Sequence, residues 1–152
     1  MNERKESTTS IILEYVRVIV LTVIATFIFL QFVQISRVNG SSMENTYFQN
    51  NIVLIDKVFY KHSQPKRNDI IIVDYDDGLD DTLIIKRVIA VGGDHLDIKN
   101  NEVYINGKKI KESYIKENMN TEDLSIDIPK GKVFVMGDNR NHSLDSRKLG
   151  YF

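Results

Sequence analysis

A serine hydroxyl becomes a nucleophile only when a neighbouring group takes its proton, so the chemistry open to this chain turns on which base serves Ser42. Ser42 stands in Val38-Asn39-Gly40-Ser41-Ser42-Met43, just after a long uncharged apolar run. Two kinds of base are available. One is histidine: the chain has His62, His95 and His142, and His142 with Asp145 has the residue types of a Ser-His-Asp triad. The other is Lys86, in Leu83-Ile84-Ile85-Lys86-Arg87-Val88-Ile89-Ala90-Val91, where strand alternation puts Ile84, Lys86, Val88 and Ala90 on one face. An ammonium group on so apolar a face loses hydration. Lowering a lysine from about 10.4 to near 7 corresponds to about 4 to 5 kcal/mol of differential stabilisation. The same pattern also fits a lysine that snorkels to solvent at a sheet edge.

A third constellation, Gly137-Asp138-Asn139-Arg140-Asn141-His142-Ser143-Leu144-Asp145-Ser146-Arg147, follows the apolar run Lys132 to Met136. Gly137 permits a sharp exit from a strand, and Asp138, Arg140, Asp145 and Arg147 are expected to form charge-assisted hydrogen bonds within the loop. Ser143 and Ser146 are the hydroxyls able to orient a buried amine. By composition alone the loop also reads as a solvated connection.

These groups must be positioned by the rest of the chain. Val18 to Ser36 carries no Asp, Glu, Lys, Arg or His, and its 19 residues would rise roughly 28 Å as a helix, close to the hydrocarbon thickness of a bilayer. A retained anchor is expected, since a signal-peptide core is shorter and is followed by a small-x-small site. Arg4, Lys5 and Arg17 precede it and only Arg37 closely follows, which favours a cytoplasmic N-terminus. The expected organisation is residues 1–17 cytoplasmic, 18–36 transmembrane and 37–152 an extracytoplasmic domain. In that domain strands are expected at Ile52 to Val58, Ile70 to Tyr75, Leu83 to Val91, Leu96 to Ile98, Val103 to Ile105 and Lys132 to Met136. Gly92-Gly93-Asp94 closes the third and Asn106-Gly107 signals a hairpin. The fold class is mainly β: an N-terminal transmembrane helix, then an antiparallel catalytic domain.

Composition narrows the partners. A net charge of −1 gives no electrostatic case for nucleic acid, and Lys61, Lys66 and Arg67, like Lys108, Lys109 and Lys111, lack an interleaved aromatic platform. The absence of cysteine excludes disulfides and thiol chemistry. Three scattered histidines match no zinc spacing, and the acidic run Asp74 to Asp81 misplaces the glycine of a calcium loop and has Ile85 where its last acid belongs. No metal or other cofactor is expected.

In order and spacing, Gly40-Ser41-Ser42-Met43, Ile85-Lys86-Arg87-Val88-Ile89-Ala90-Val91-Gly92-Gly93-Asp94 and Gly137 to Arg147 resemble the motifs of bacterial type I signal peptidases, in their compact single-span form, over roughly Tyr15 to Gly150. The resemblance implies a membrane-bound serine endopeptidase that removes signal peptides from exported preproteins. Ser42 is implied as nucleophile, Lys86 as general base, Ser143 as the residue orienting Lys86, and Asp145 with Arg147 as a supporting ion pair. Met43 is implied to shape the substrate-binding region. Gly40 stands where some members place a serine hydroxyl for the oxyanion, which leaves only backbone donation there. Asn45 and Gly92 replace prolines usual in the family, which implies less rigid turns. Members generally continue with further strands, so the resemblance implies a C-terminally truncated sheet after Phe152. Implied partners are preproteins with Ala-x-Ala sites, the lipid bilayer and the protein-export translocon. The alternative function is an inactive or dedicated signal-peptidase-like assembly factor for secreted or pilus subunits.

Overall fold

The computed structural model describes residues 8–58, 63–76 and 81–152. Arg4, Lys5, Lys61, His62 and the centre of the acidic run, residues 77–80, lie outside the described residues. Helix α1, Thr8–Phe32, has no buried residue and is followed by β1, Val33–Arg37. The apolar run expected to stay helical to Ser36 therefore changes conformation at Phe32. Its last residues pair antiparallel with β2, Ile52–Asp56, with Ile35 opposite Leu54. Val33 and Ile35 are β-branched and alternate with polar Gln34 and Ser36, so a strand with a waiting partner overrides continuity of hydropathy.

The remaining strands are β3 Ile70–Asp76, β4 Asp81–Val91, β5 His95–Lys99, β6 Glu102–Ile105, β7 Lys108–Lys109, β8 Leu124–Asp127 and β9 Val133–Met136. They form one antiparallel sheet in the order β3-β4-β9 and another in the order β7-β6-β5-β8. The chain is thus an apolar N-terminal helix followed by antiparallel β-structure. Strand β8 lies in a segment expected to be polar connection; Leu124 and Ile126 alternate inward and pack on the core. Between β6 and β7 the expected turn forms at Asn106 and Gly107, both at positive φ, 52° and 76°.

The larger core lies between these two sheets. Ile89, Ala90, Phe134 and Met136 meet Leu96, Ile98, Val103 and Ile105, with Met119 and Ile128 filling the edges. A smaller cluster, Ile71, Val73, Val88, Val133 and Val135, covers the opposite face of β3-β4-β9. Strand β4 feeds both by alternation, Val88 facing the smaller cluster and Ile89 the larger, and its register against β9 shifts between Val88 and Ala90. Ala90, expected beside Lys86, is turned by this bulge into the larger core opposite Phe134.

The turn after β4 is held by more than its glycines. The Asp94 carboxylate accepts from the Val91 amide at 2.9 Å, Asn106 Nδ2 at 3.0 Å and Arg67 Nε at 2.8 Å. At Gly92 a Cβ would lie 2.8 Å from the Pro129 carbonyl oxygen, so the two turns approach backbone to backbone. Phe134 has no exposed surface and sits where both sheets meet. Phe134→Ala is expected to cost about 3 to 5 kcal/mol. Denaturant titration of the detergent-solubilised protein checks this; a loss under ~1 kcal/mol would mean the two sheets repack without it.

Candidate active site

Ser42 lies on a tight turn between β1 and β2. The Thr46 and Tyr47 amides both donate to the Met43 carbonyl at 2.8 Å, and the turn's base is closed by Val38 N–H to Asn51 O at 2.8 Å and Asn50 N–H to Val38 O at 2.9 Å. Gly40 has φ +96°, a conformation that suits glycine. Its amide is already committed to Gln49 Oε1 at 2.7 Å, so the backbone donation expected there is spent inside the turn. Met43 is 1% exposed and does not line the cleft beside Ser42.

Lys86 projects from the middle of β4 on the face of the smaller apolar cluster, in register with Ile71. It is 3% exposed, which rules out the edge-snorkelling arrangement. Its Nζ lies 2.8 Å from Ser42 Oγ and donates to the Ile85 carbonyl at 3.0 Å. Burial pushes the amine below the ordinary lysine value, while the charge of Asp145 acts in the opposite direction.

The loop after β9 closes over this pair. The Asn139 amide donates to the Ser42 carbonyl and Asn139 Nδ2 to the Ser41 carbonyl, each at 3.0 Å. Gly137 is needed for space: it lacks a positive φ, but a Cβ there would fall 2.5 Å from the Ser42 carbonyl oxygen and 2.6 Å from Ser143 Cβ. The sharp exit expected of it is therefore a close approach. Asp145 accepts from Arg147 Nε at 2.9 Å, Arg147 Nη2 at 2.8 Å and the Gly137 amide at 3.0 Å, and caps the short helix α2, Ser146–Leu149.

Asp138 and Arg140 find their ionic partners outside the loop, although Arg140 also makes the expected charge-assisted bond within it, Nε donating to the Gly137 carbonyl at 3.1 Å. Asp138 takes a bidentate pair from Arg87 at 2.8 and 2.7 Å and a hydrogen bond from Thr46 Oγ1. Arg140 pairs with Glu112 at 2.5 and 3.0 Å, and both guanidinium groups face the Tyr114 ring, at 4.1 Å for Arg87 and 5.9 Å for Arg140. The two serines also depart from expectation. Ser146 Oγ accepts from the Val135 amide at 2.9 Å, and Ser143 Oγ is buried with no partner, making no hydrogen bond to Lys86.

Of the described histidines, His142 is exposed on a single 3₁₀ turn, Arg140–His142, and is not among the partners of Asp145. His95 pairs with Asp127 at 2.6 Å on the other sheet. No Ser-His-Asp triad is assembled among the described residues. Arg87, Thr46 and Glu112 were not singled out by sequence. Arg87 had a signal, since alternation sends it to the opposite face from Lys86; Glu112, in an irregular polar segment, had none.

A cleft of about 270 Å³ opens beside the Ser42–Lys86 pair, walled by Ser36, Val38, Val53, Ile55, Ile72 and Ile84. With this geometry in place, comparison with known proteins is informative. A family model described as signal peptidase, peptidase S26 matches residues 12–152. Signal peptidase I P of Bacillus subtilis subsp. natto is 33% identical, the alignment covering 100% of this chain and 88% of that protein. Signal peptidase I S of Bacillus subtilis (strain 168) is 34% identical, with the same coverages of 100% and 88%. A crystal structure of a signal peptidase I from Enterococcus faecalis V583 superposes with a TM-score of 0.50 at 30% identity, covering 59% of this chain and 90% of that one.

Two outcomes follow from the charges. Below its lowered folded value Lys86 is protonated in both the native and unfolded states, and folding carries the full desolvation cost; as pH rises from there to 10.5 that cost disappears. Lys86→Met is therefore expected to raise the thermal midpoint most at acid and neutral pH, with the gain shrinking toward pH 10.5. A gain independent of pH would mean that the amine titrates alike folded and unfolded. Asp138→Ala leaves Arg87, 8% exposed, without its counter-charge and should cost about 3 to 5 kcal/mol in denaturant titration.

Proposed function

Since the chain belongs to the bacterial type I signal peptidases, hydrolases that cleave signal peptides, we propose that it does so with Ser42 as nucleophile and Lys86 as general base. The observation that carries this reading is the buried amine 2.8 Å from Ser42 Oγ on an otherwise apolar face. In its neutral form Lys86 Nζ accepts the Ser42 proton as Oγ attacks the scissile carbonyl. It then passes that proton to the departing amine. Neutral again, it takes a proton from the water that attacks the acyl ester, and returns it to Ser42 as the ester bond breaks. The Ser42 N–H stabilises the oxyanion in both stages.

A neutral amine whose lone pair faces Ser42 has two N–H bonds to place. One is given to Ile85. Ser143, which carries the buried unpaired hydroxyl of the covering loop, is the acceptor proposed for the other. Arg147 offsets the Asp145 charge that would otherwise hold Lys86 protonated. The cleft beside Ser42, which combines the apolar side chains of Val38, Val53, Ile55, Ile72 and Ile84 with the polar Arg37 and Asn39, is the proposed seat for preproteins with Ala-x-Ala sites.

Type I signal peptidases are membrane-anchored, and α1, 25 residues with none buried, supplies an apolar helix of roughly 37 Å. The proposed topology is a cytoplasmic N-terminus with Ser42 at the outer surface, close to where a substrate's cleavage site emerges. The assembly-factor alternative gains nothing from a site in which nucleophile and base are already in contact.

Cleavage of an Ala-x-Ala preprotein in detergent tests the proposal. Ser42→Ala and Lys86→Ala should each reduce kcat/KM by at least about 10³-fold, and His142→Ala by no more than about twofold. With the parent enzyme, kcat/KM should rise with pH through the lowered Lys86 value. Activity that survives Lys86→Ala, or depends on His142, sinks the dyad.

A further inference from the structure

A backbone oxyanion donor is useful only if its peptide plane is held in place before the charge develops. The Ser42 N–H shares one planar group with the Ser41 carbonyl, and in a trans peptide the two point in opposite directions. Whatever fixes the Ser41 carbonyl therefore aims the Ser42 N–H. Asn139 Nδ2 donates to the Ser41 oxygen at 3.0 Å, and the Asn139 amide donates to the Ser42 oxygen at 3.0 Å. One residue thus grips the peptide on each side of the nucleophile. The Glu44 amide adds a longer bond to Ser41, 3.2 Å, from within the turn itself. Among the described residues no acceptor is found for the Ser42 N–H, which leaves that donor open.

The other end of the side chain supplies a second observation. Asn139 is 1% exposed, yet its buried Oδ1 has no hydrogen-bond partner among the described residues. Turning the amide over would set Oδ1 against the Ser41 oxygen, so the orientation is dictated by the nucleophile turn. An orphaned buried carbonyl carries a desolvation cost that an apolar residue of the same size would avoid. Packing alone does not account for a carboxamide here.

We infer that Asn139 is the positioning residue of the oxyanion hole, locking the Ser41–Ser42 peptide so that its N–H points at the developing charge. This rests on the reading of Ser42 as nucleophile. The bond to the Ser41 carbonyl also polarises that peptide and strengthens its N–H as a donor.

The test is steady-state cleavage of an Ala-x-Ala preprotein by the full chain in detergent, comparing the parent with Asn139→Leu and Asn139→Asp, both close to asparagine in size and both lacking the N–H donor. Removing an oxyanion donor outright costs about 10² to 10³ in kcat, so loosening one should cost about 10- to 100-fold, with KM changed by no more than about twofold. Asn139→Leu brings no new charge near Lys86, so its pH profile of kcat/KM should keep the parent's midpoint. For Asn139→Leu the thermal midpoint should stay at or above the parent's.

A peptide aldehyde ending in alaninal gives a second readout. Ser42 Oγ adds to its carbonyl carbon, the C=O π pair becomes an oxyanion, and the Ser42 proton moves to Lys86. Affinity for the aldehyde should fall in step with kcat, while the matching peptide alcohol binds as before. A kcat within twofold of the parent, a shifted pH midpoint in Asn139→Leu, or equal weakening of aldehyde and alcohol would each overturn the assignment. Ser42→Ala, run in parallel, separates the two levels. If it retains turnover, the nucleophile reading falls and takes this inference with it; if it is inactive beside a fully active Asn139→Leu, only the role of Asn139 is lost.

Discussion

Keeping a lysine amine out of water beside a serine hydroxyl is the constraint on which the rest of this structure depends. An ammonium buried without a counter-ion is among the costliest groups a protein can hold, and shifting toward the neutral form is how that cost is relieved. The surroundings of Lys86 are arranged to that end: apolar side chains of β3, β4 and β9 on its face and, among the described residues, only Ser42 Oγ and one carbonyl as partners. The one nearby charge that works against neutrality, Asp145, is held by Arg147 and the Gly137 amide. Asp145 can thus cap α2 and fix the loop while burial still holds Lys86 below the ordinary lysine value.

Arg87, the next residue, shows the opposite solution. Alternation sends it to the other face of β4, where Asp138, Thr46, the Asn68 carbonyl and the Tyr114 ring surround it. Burial there is tolerated because the charge is paired and its donors are satisfied. Those partners come from separate segments, so a single guanidinium ties the nucleophile turn, the approach to β3, the segment before β8 and the covering loop to one strand. The neighbouring basic residues are held in opposite ways: Lys86 has few polar partners, while Arg87 is saturated and holds the frame.

Much of this was legible in the chain itself. Period-2 patterning located β2, β3, β4, β5, β6 and β9 within a few residues, and the Asn106-Gly107 turn behaved as its backbone preferences require. Lys86 within an apolar strand stood out for the same reason. What patterning missed has physical causes. Hydropathy alone could not show that the apolar run leaves the helix at Phe32, because β1 exists only through its pairing with β2. The bulge in β4 is set by the fit to β9, and it carries Ala90 away from the face that strict alternation assigns to it. The partners of Asp138 and Arg140 were sought within their own loop because charges close in sequence suggest local pairing. Long side chains instead reached Arg87, 51 residues away, and Glu112, 28 away.

The covering loop is then better understood by its distance from Ser42 than by its charges. With a side chain at position 137 the loop would have to withdraw from the Ser42 carbonyl, and both Asn139 hydrogen bonds would lengthen with it. Ser143, which packs against the same glycine, would move as well. The missing Cβ of Gly137 therefore lets one loop do two things together: cover the buried Lys86 amine on one side of Ser42, and hold the Ser41–Ser42 peptide on the other. A polar loop can cover a buried amine because its ions are paired among themselves and with the scaffold, and the groups it gives to the Ser41 and Ser42 carbonyls are the neutral amides of Asn139.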